Sequence, residues 1–335
     1  MNRYLASLAG ATGAAGSDVR TTRLRSLLMV GVAVIVGFLM LLLPWLLLGY
    51  VVTALAMAVA VLGVNLMAGF VGRVALGHGA FVGTGAYTAV ILSADHGWSL
   101  LAVVPIAGAI GFVIGGFIAV PALRIRGLHL ALVSLAFGAS FGPIVKRFET
   151  FTNGANGKGS NASWVAPTWL GEGREADMRW LYLVVLGIAL VVFAGVANLT
   201  RGRVGRSLVA LRDNELAART CGVAVRRYTV AMFGVSAAVA SIAGVLIVIR
   251  QPFVSYESFE TPFSLQLFAA ATLGGLATIR GAVIGGFMLV AVPYTVRRLG
   301  LEVDGNVLFG LLLILAVVVF PDGLVGGVRR RPQVA

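Results

Sequence analysis

Residues 200–228 read Thr-Arg-Gly-Arg-Val-Gly-Arg-Ser-Leu-Val-Ala-Leu-Arg-Asp-Asn-Glu-Leu-Ala-Ala-Arg-Thr-Cys-Gly-Val-Ala-Val-Arg-Arg-Tyr, with seven arginines beside Asp213 and Glu215. Side chains of these types make charged hydrogen bonds to another surface, and none of them is spaced for bond-making chemistry. Elsewhere the same holds. No Gly-x-Ser-x-Gly stands in a strand–turn–helix context, there is no His-Glu-x-x-His, and no two carboxylates share one membrane depth. Cys221 is the single cysteine, and His78, His96 and His129 are scattered, so no cluster has metal-ligand spacing. Residues 154–160, Gly-Ala-Asn-Gly-Lys-Gly-Ser, superficially resemble a phosphate-binding loop. A P-loop needs glycine five residues before the Gly-Lys pair, where this chain has Thr152. The charged segment is therefore read as a docking place.

The elements that must position it are apolar. The 335 residues are 59% hydrophobic and 12% charged, with 44 glycines and a mean hydropathy of +0.96. A soluble globular chain carries about 25% charge, so the composition predicts an all-α, polytopic membrane bundle. Each crossing takes about 20 residues, which gives about ten transmembrane helices, several short or broken. They are expected near 27–48, 50–70, 79–94, 100–120, 128–145, 181–199, 229–249, 263–278, 281–296 and 306–320. The glycine-rich short ones belong at the centre, because broken backbone at membrane depth survives only inside protein or beside a wet cavity. Residues 1–26 form a polar segment, and the apolar run after it is too long for a signal-peptide core of about 7–15 residues, which predicts an uncleaved first span.

Charge orients the bundle. With both termini cytoplasmic, Arg3, Arg20, Arg23, Arg25, Arg73, Arg124, Arg126, the seven arginines of 200–228, Arg280 and Arg329 to Arg331 all fall on the cytoplasmic side. That is the asymmetry of the positive-inside rule. Arg297 and Arg298 fall on the opposite side, against the rule. The net charge of +13 is thus accounted for by topology and predicts no nucleic-acid partner. The chain divides into a cytoplasmic segment 1–26, one transmembrane domain 27–320 and a basic cytoplasmic tail 321–335. The longest outer connection, 146–180, is rich in turn-forming Asn and Gly and holds Trp164, Trp169 and Trp180. These indoles serve either as anchors at the headgroup level or as a surface for an external partner.

Within 200–228, residues 200–209 read as a flexible basic approach because of Gly202 and Gly205. After them Asp213 is placed to cap a short helix, roughly 214–221. Glu215 faces Arg219 at i, i+4, and Gly222 supplies the left-handed residue that ends the helix. Ala217 and Ala218 are expected on its surface, small enough for a partner to approach closely. The competing reading is an amphipathic helix lying on anionic membrane lipid. All thirteen Asp and Glu residues fall in connections or at span ends, which weighs against a proton-driven carrier. Asn65, Ser134, Gln266 and Thr272 are polar residues inside apolar spans; they either line a translocation pathway or hydrogen-bond to neighbouring helices.

Residues 205–223 resemble the Glu-Ala-Ala-type coupling loop of bacterial ABC importer permeases. More narrowly, the chain resembles the M-type membrane subunit of branched-chain amino acid importers. The resemblance runs from about residue 49 to 327 and includes blocks at 75–87, 127–138, 272–286 and 320–324, in that order. His129 stands where that family more often has an aromatic, and Asn153 where its outer loop usually has glycine. The resemblance implies about ten helices in the ABC importer permease fold, in a bacterial cytoplasmic membrane. It implies a related second permease subunit, two cytoplasmic ATP-binding subunits and an external substrate-binding protein. ATP and magnesium would sit on those partners, leaving this chain without a cofactor. Glu215 and Gly222 would carry the ATPase contact, supported by Arg203, Arg206, Arg212, Asp213, Ala217 and Ala218. The implied cargo is leucine, isoleucine or valine, with urea and short amides as alternatives; an ion-coupled carrier or channel and, more distantly, a membrane-embedded enzyme are the other classes.

Overall fold

The computed structural model describes residues 43–122, 128–160 and 166–299, together with positions 37, 41, 310, 323 and 324. Outside the described residues lie most of the expected first span, nearly all of the expected last one, the segment 1–26, nearly all of the basic tail, Arg124, Arg126, Trp164 and the side chains of His129 and Trp169. The chain divides into two compact units, Met1–Leu48 and Gly49–Ala335.

The architecture is an all-α bundle, as expected. Helix α1 (Trp45–Asn65) continues as a π-helical turn, Leu66–Val71, followed by α2 (His78–His96), α3 (Leu100–Ala122) and α4 (Leu128–Arg147). A one-turn α5 (Glu149–Thr152) leads to the two-residue strand β1 (Lys158–Gly159) and then to α6 (Arg174–Arg201). Two surface helices, α7 (Arg203–Asp213) and α8 (Glu215–Thr220), precede α9 (Val225–Arg250). After β2 (Phe253–Val254) come α10 (Thr261–Gly274) and α11 (Ile279–Arg298).

Among the described residues, five helices are long and apolar enough to cross a membrane, and a sixth span arises if α4 and the segment after it, bent by 86°, count as one. Eight of the ten expected spans coincide with helices; the remaining two are those at the ends, which are largely undescribed. Helix α10 has 14 residues, or about 21 Å at 1.5 Å per residue, short of a hydrocarbon core of about 30 Å. It is therefore too short to cross alone, a half-span with Ser264, Leu267, Ala270, Ala271, Leu273 and Gly274 buried against the rest of the bundle.

Helix α9 is the most enclosed of the crossing helices. Lipid is as apolar as leucine, so burial alone drives little association, and small residues set the contacts. Gly85 of α2 abuts the Ser241 carbonyl, and Gly244 of α9 abuts the Val82 carbonyl and the Ala86 amide; a methyl on either glycine would collide with backbone. Gly111 and Gly115 bring α3 equally close to Ser241 and Ala237. Hydrogen bonds fix the register. Ser241 Oγ donates to the Phe81 carbonyl at 2.9 Å, and Ser236 Oγ to the Gly63 carbonyl at 2.7 Å. The fully buried His78 has Nε2 2.7 Å from Ser236 Oγ and Nδ1 3.1 Å from the Ala75 carbonyl, so both ring nitrogens find partners within the bundle.

His78 opens α2 yet lies beside Ser236, in the middle of α9. Helix α2 thus begins inside the bundle, and so does α10, whose first-turn Ser264 Oγ accepts the Gly79 amide at 2.9 Å. Irregular backbone reaches this depth because protein covers it.

At the far end of α2 and α9 the chain folds into a small closure. Strands β1 and β2 pair antiparallel, Lys158 opposite Val254 and Gly159 opposite Phe253. The Ser160 amide donates to the Pro252 carbonyl at 2.6 Å, and the Ser93 and Ser160 hydroxyls are 2.8 Å apart. Lys158 Nζ reaches Asp95 Oδ2 at 2.6 Å and the Phe151 carbonyl at 2.9 Å. Asn153 adopts a left-handed φ of 61° and donates from Nδ2 to the Gly157 carbonyl at 2.7 Å. Asparagine tolerates that conformation better than most residues, which explains why it can stand where glycine was expected.

Candidate functional site

The charged segment is more ordered than its glycines suggest. Residues 203–213, most of which were expected to be a flexible approach, form α7, with Gly205, Leu208 and Leu211 buried along one face and Arg203 and Arg206 exposed. Gly205 is needed for close approach, because a Cβ there would strike the Thr200 carbonyl at the turn between α6 and α7. The buried leucines carry α7 through Asp213, so Asp213 ends one helix instead of capping the next. The cap is Asn214, whose extended backbone lets its side chain accept the Ala217 amide at 3.1 Å. A helix start is fixed by where the backbone breaks, and here tertiary burial moves that break one residue on.

Helix α8 ends as capping logic requires. The Cys221 amide reaches the Ala217 carbonyl and the Val223 amide the Ala218 carbonyl, at 3.1 and 3.0 Å, while Gly222 takes a φ of 79°. Ala218 is only 2% exposed, so it seats the helix and is no part of its outer face, contrary to expectation. Outward lie Ala217, Thr220 and Leu216, the last 69% exposed. A leucine that exposed on a short charged helix is an apolar knob.

Glu215 is held from two sides. Its Oε1 accepts from Arg219 Nη2 at 2.7 Å, and its Oε2 from Arg73 Nη2 at 3.1 Å. The side chains of Arg73 and Glu215 are 15% and 29% exposed, so this pair is screened less than an open surface pair. Beside it, Arg212 Nη1 donates to the Gly69 carbonyl at 3.3 Å, and the same guanidinium touches Asp213 Oδ1 at 3.4 Å. Arg212 also packs its stem on Gly72, the left-handed residue that closes the π turn. Arg73 and Leu216 went unremarked as site residues in the sequence. Arg73 lies 142 positions from Glu215, and no local pattern joins them; Leu216 was visible as a leucine inside a charged run.

The four interior polar residues separate. Asn65 is fully buried and uses both ends of its amide: Nδ2 donates to the Thr278 carbonyl and Oδ1 accepts the Ala277 amide, each at 2.8 Å. Gly69 presses against that same Ala277 amide and Asn65 Oδ1, so Asn65 meets the structure that Arg212 touches. Ser134 Oγ accepts the Leu76 amide and donates to the Ala131 carbonyl, both at 2.9 Å, at the separate α2–α4 crossing. Thr272 and Gln266 are half-buried on α10, and Thr272 bonds its own helix at Ala269, 2.7 Å away.

A membrane bundle with a short, capped helix offered on its surface by a basic segment matches one family over most of its length. Residues 46–318 fit the model of the branched-chain amino acid transport system permease component. The chain belongs to that family. The permease is 30% identical over 291 residues to the high-affinity branched-chain amino acid transport system permease protein LivM of Escherichia coli K12, covering 81% of this chain and 68% of that one. It is 27% identical over 299 residues to LivH of the same organism, covering 83% and 92%. The autoinducer 2 import system permease protein LsrC of Enterobacter sp. strain 638 is 28% identical over 249 residues, 70% of this chain and 67% of that one. The permease is accordingly a multi-pass membrane protein, the permease component of a transport system.

Proposed function

We propose that this permease is a membrane-spanning subunit of an ATP-driven, binding-protein-dependent importer of branched-chain amino acids, and that α8 is where a cytoplasmic ATPase seats. The observation that carries the reading is the build of α8: Leu216 and Ala217 point outward while Glu215 and Ala218 hold the helix to the bundle. An apolar knob on a rigid base fits a groove in a partner. Two ATP-binding subunits, a related second permease and an external binding protein complete the importer, with ATP and magnesium on the ATPases. The cargo follows the relatives LivM and LivH, both permeases of branched-chain amino acid systems by name. The termini and residues 200–228 then lie in the cytoplasm, and the membrane is the bacterial inner one.

Closure of the ATPase pair would move α7 and α8 together, since the two helices pack on each other and each keeps buried residues, Leu208 and Leu211 on α7 and Ala218 on α8. Arg203 and Arg206, exposed along α7, are then available to acids on the ATPase. Gln266 and Thr272, half-buried on the half-span α10, are assigned to the pathway.

Glu215→Lys is the test. It would leave three cations at Arg73, position 215 and Arg219 and tilt α8 from its seat. The variant is expected to insert in the membrane while substrate uptake by the assembled importer falls to background. Normal uptake by that variant sinks the assignment of α8, and uptake by the wild-type chain alone in liposomes, with no ATPase and no binding protein, makes it an ion-coupled carrier or channel.

A further inference from the structure

The π-helical turn Leu66–Val71 lies between two structures that the proposed function treats separately. On one side are the arginines of the docking segment. Arg73, two residues past the turn, pairs with Glu215 at 3.1 Å, and Arg212 donates to the Gly69 carbonyl at 3.3 Å while resting on Gly72. On the other side is the turn joining α10 to α11. Gly69 lies so close to the Ala277 amide and Asn65 Oδ1 that a Cβ could not fit. Asn65 clamps Ala277 and Thr278 from both ends of its amide. Ala277 has a φ of 59°, a left-handed backbone that a residue with a side chain adopts only when its surroundings impose it. Thr278 Oγ1 then donates to the Gly275 carbonyl at 2.9 Å and accepts the Gly281 amide at 3.1 Å, capping α11.

We infer that Arg73, Arg212 and Asn65 are positioning residues, which carry movement of α8 through the π turn to the α10–α11 turn and so reorient the half-span α10. The inference rests on α8 being the ATPase contact. A π turn differs from an α turn by one residue of register, and such insertions concentrate at functional sites. On this inference the π turn is the element that shifts register between two states, both ends biasing which one it adopts, as a transmission path requires.

The experiment uses the complete importer in liposomes, measuring uptake per ATP hydrolysed for Arg73→Ala, Asn65→Ala and the double variant. Each single change is expected to lower uptake per ATP about tenfold while hydrolysis continues. Because the residues act in series, the double variant is expected to lose no more than the worse single one. Arg73→Lys is expected to recover most of the ratio. A readout independent of uptake is hydrogen exchange at the amides of 275–279 in importers shown to retain the ATPase. A non-hydrolysable ATP analogue is expected to change it in wild type and not in Arg73→Ala. Losses that multiply in the double variant, or an exchange response that survives in Arg73→Ala, overturn the path. If Glu215→Lys abolishes uptake while Arg73→Ala keeps the wild-type ratio, the path fails and the docking reading stands; if Glu215→Lys is normal, the docking reading itself fails.

Discussion

The two ends of α9 are closed in different ways. At its last turn, residues 251–254 and 158–160 form a ribbon joined by backbone hydrogen bonds, with Lys158 tying Asp95 and Phe151 beneath it. Near its first turn, α7 and α8 attach to the π turn through long side chains, Arg73 to Glu215 and Arg212 to Gly69. Backbone pairing fixes geometry because amides have no freedom to stretch. Arginines on flexible stems keep contact while their base shifts. The ribbon end is built to hold, and under the proposed function the end carrying α8 would follow a partner.

The largest effect that would test this contrast is at Leu216. A charge on that knob should not unfold α8, whose seat is Ala218 and whose cap is Asn214. Truncating or charging a central interface anchor costs roughly 2–4 kcal/mol of binding, so Leu216→Asp is expected to release the ATPase from the purified importer and reduce uptake at least about thirtyfold. The melting temperature of the isolated permease should stay unchanged. A Leu216→Asp permease that melts early but keeps its ATPase would mean the knob is a structural residue, and the contrast between the two ends would lose one side.

A smaller effect, with the opposite signature, is expected at the ribbon. Lys158→Met removes the ion pair to Asp95, whose side chain is 40% exposed, and the bond to the Phe151 carbonyl. Partial exposure discounts the pair, so the loss is about 1 kcal/mol of stability. Thermal unfolding of the permease should shift down by about 1–2 °C with uptake per ATP unchanged. An altered ratio without a change in melting would show the ribbon to be part of the moving machinery.

How much of this was legible in the sequence follows the range of the interactions. The apolar runs of α1, α3, α6 and α9 read directly, since a span is a local property of about 20 residues. So did the Glu215–Arg219 pair and the left-handed Gly222, both set within one turn of α8. The cap was misplaced by one position, because the buried face of α7 that decides it, Leu208 and Leu211, is a tertiary matter. The π turn left no pattern, and the Asn65 clamp beside it reaches Ala277, 212 positions away. Arg73 was read only as a topological charge for the same reason.

The smallest effect separates two explanations for one residue of the ribbon end. Asn153 has a left-handed backbone and also donates to the Gly157 carbonyl. Asn153→Gly relieves the conformational cost but loses a hydrogen bond of about 1 kcal/mol and loosens the unfolded chain by a similar amount. The two losses slightly outweigh the relief, since asparagine bears a left-handed backbone at less than the ordinary cost, so stability should fall by about 0.5–1 kcal/mol. Asn153→Ala loses the bond and adds a left-handed penalty of about 1–2 kcal/mol, so it should destabilise clearly. If the two variants melt alike and both fall, the side-chain bond holds the ribbon's approach. If glycine matches wild type and alanine falls, the backbone conformation is what the position requires, and asparagine serves there as a substitute for glycine.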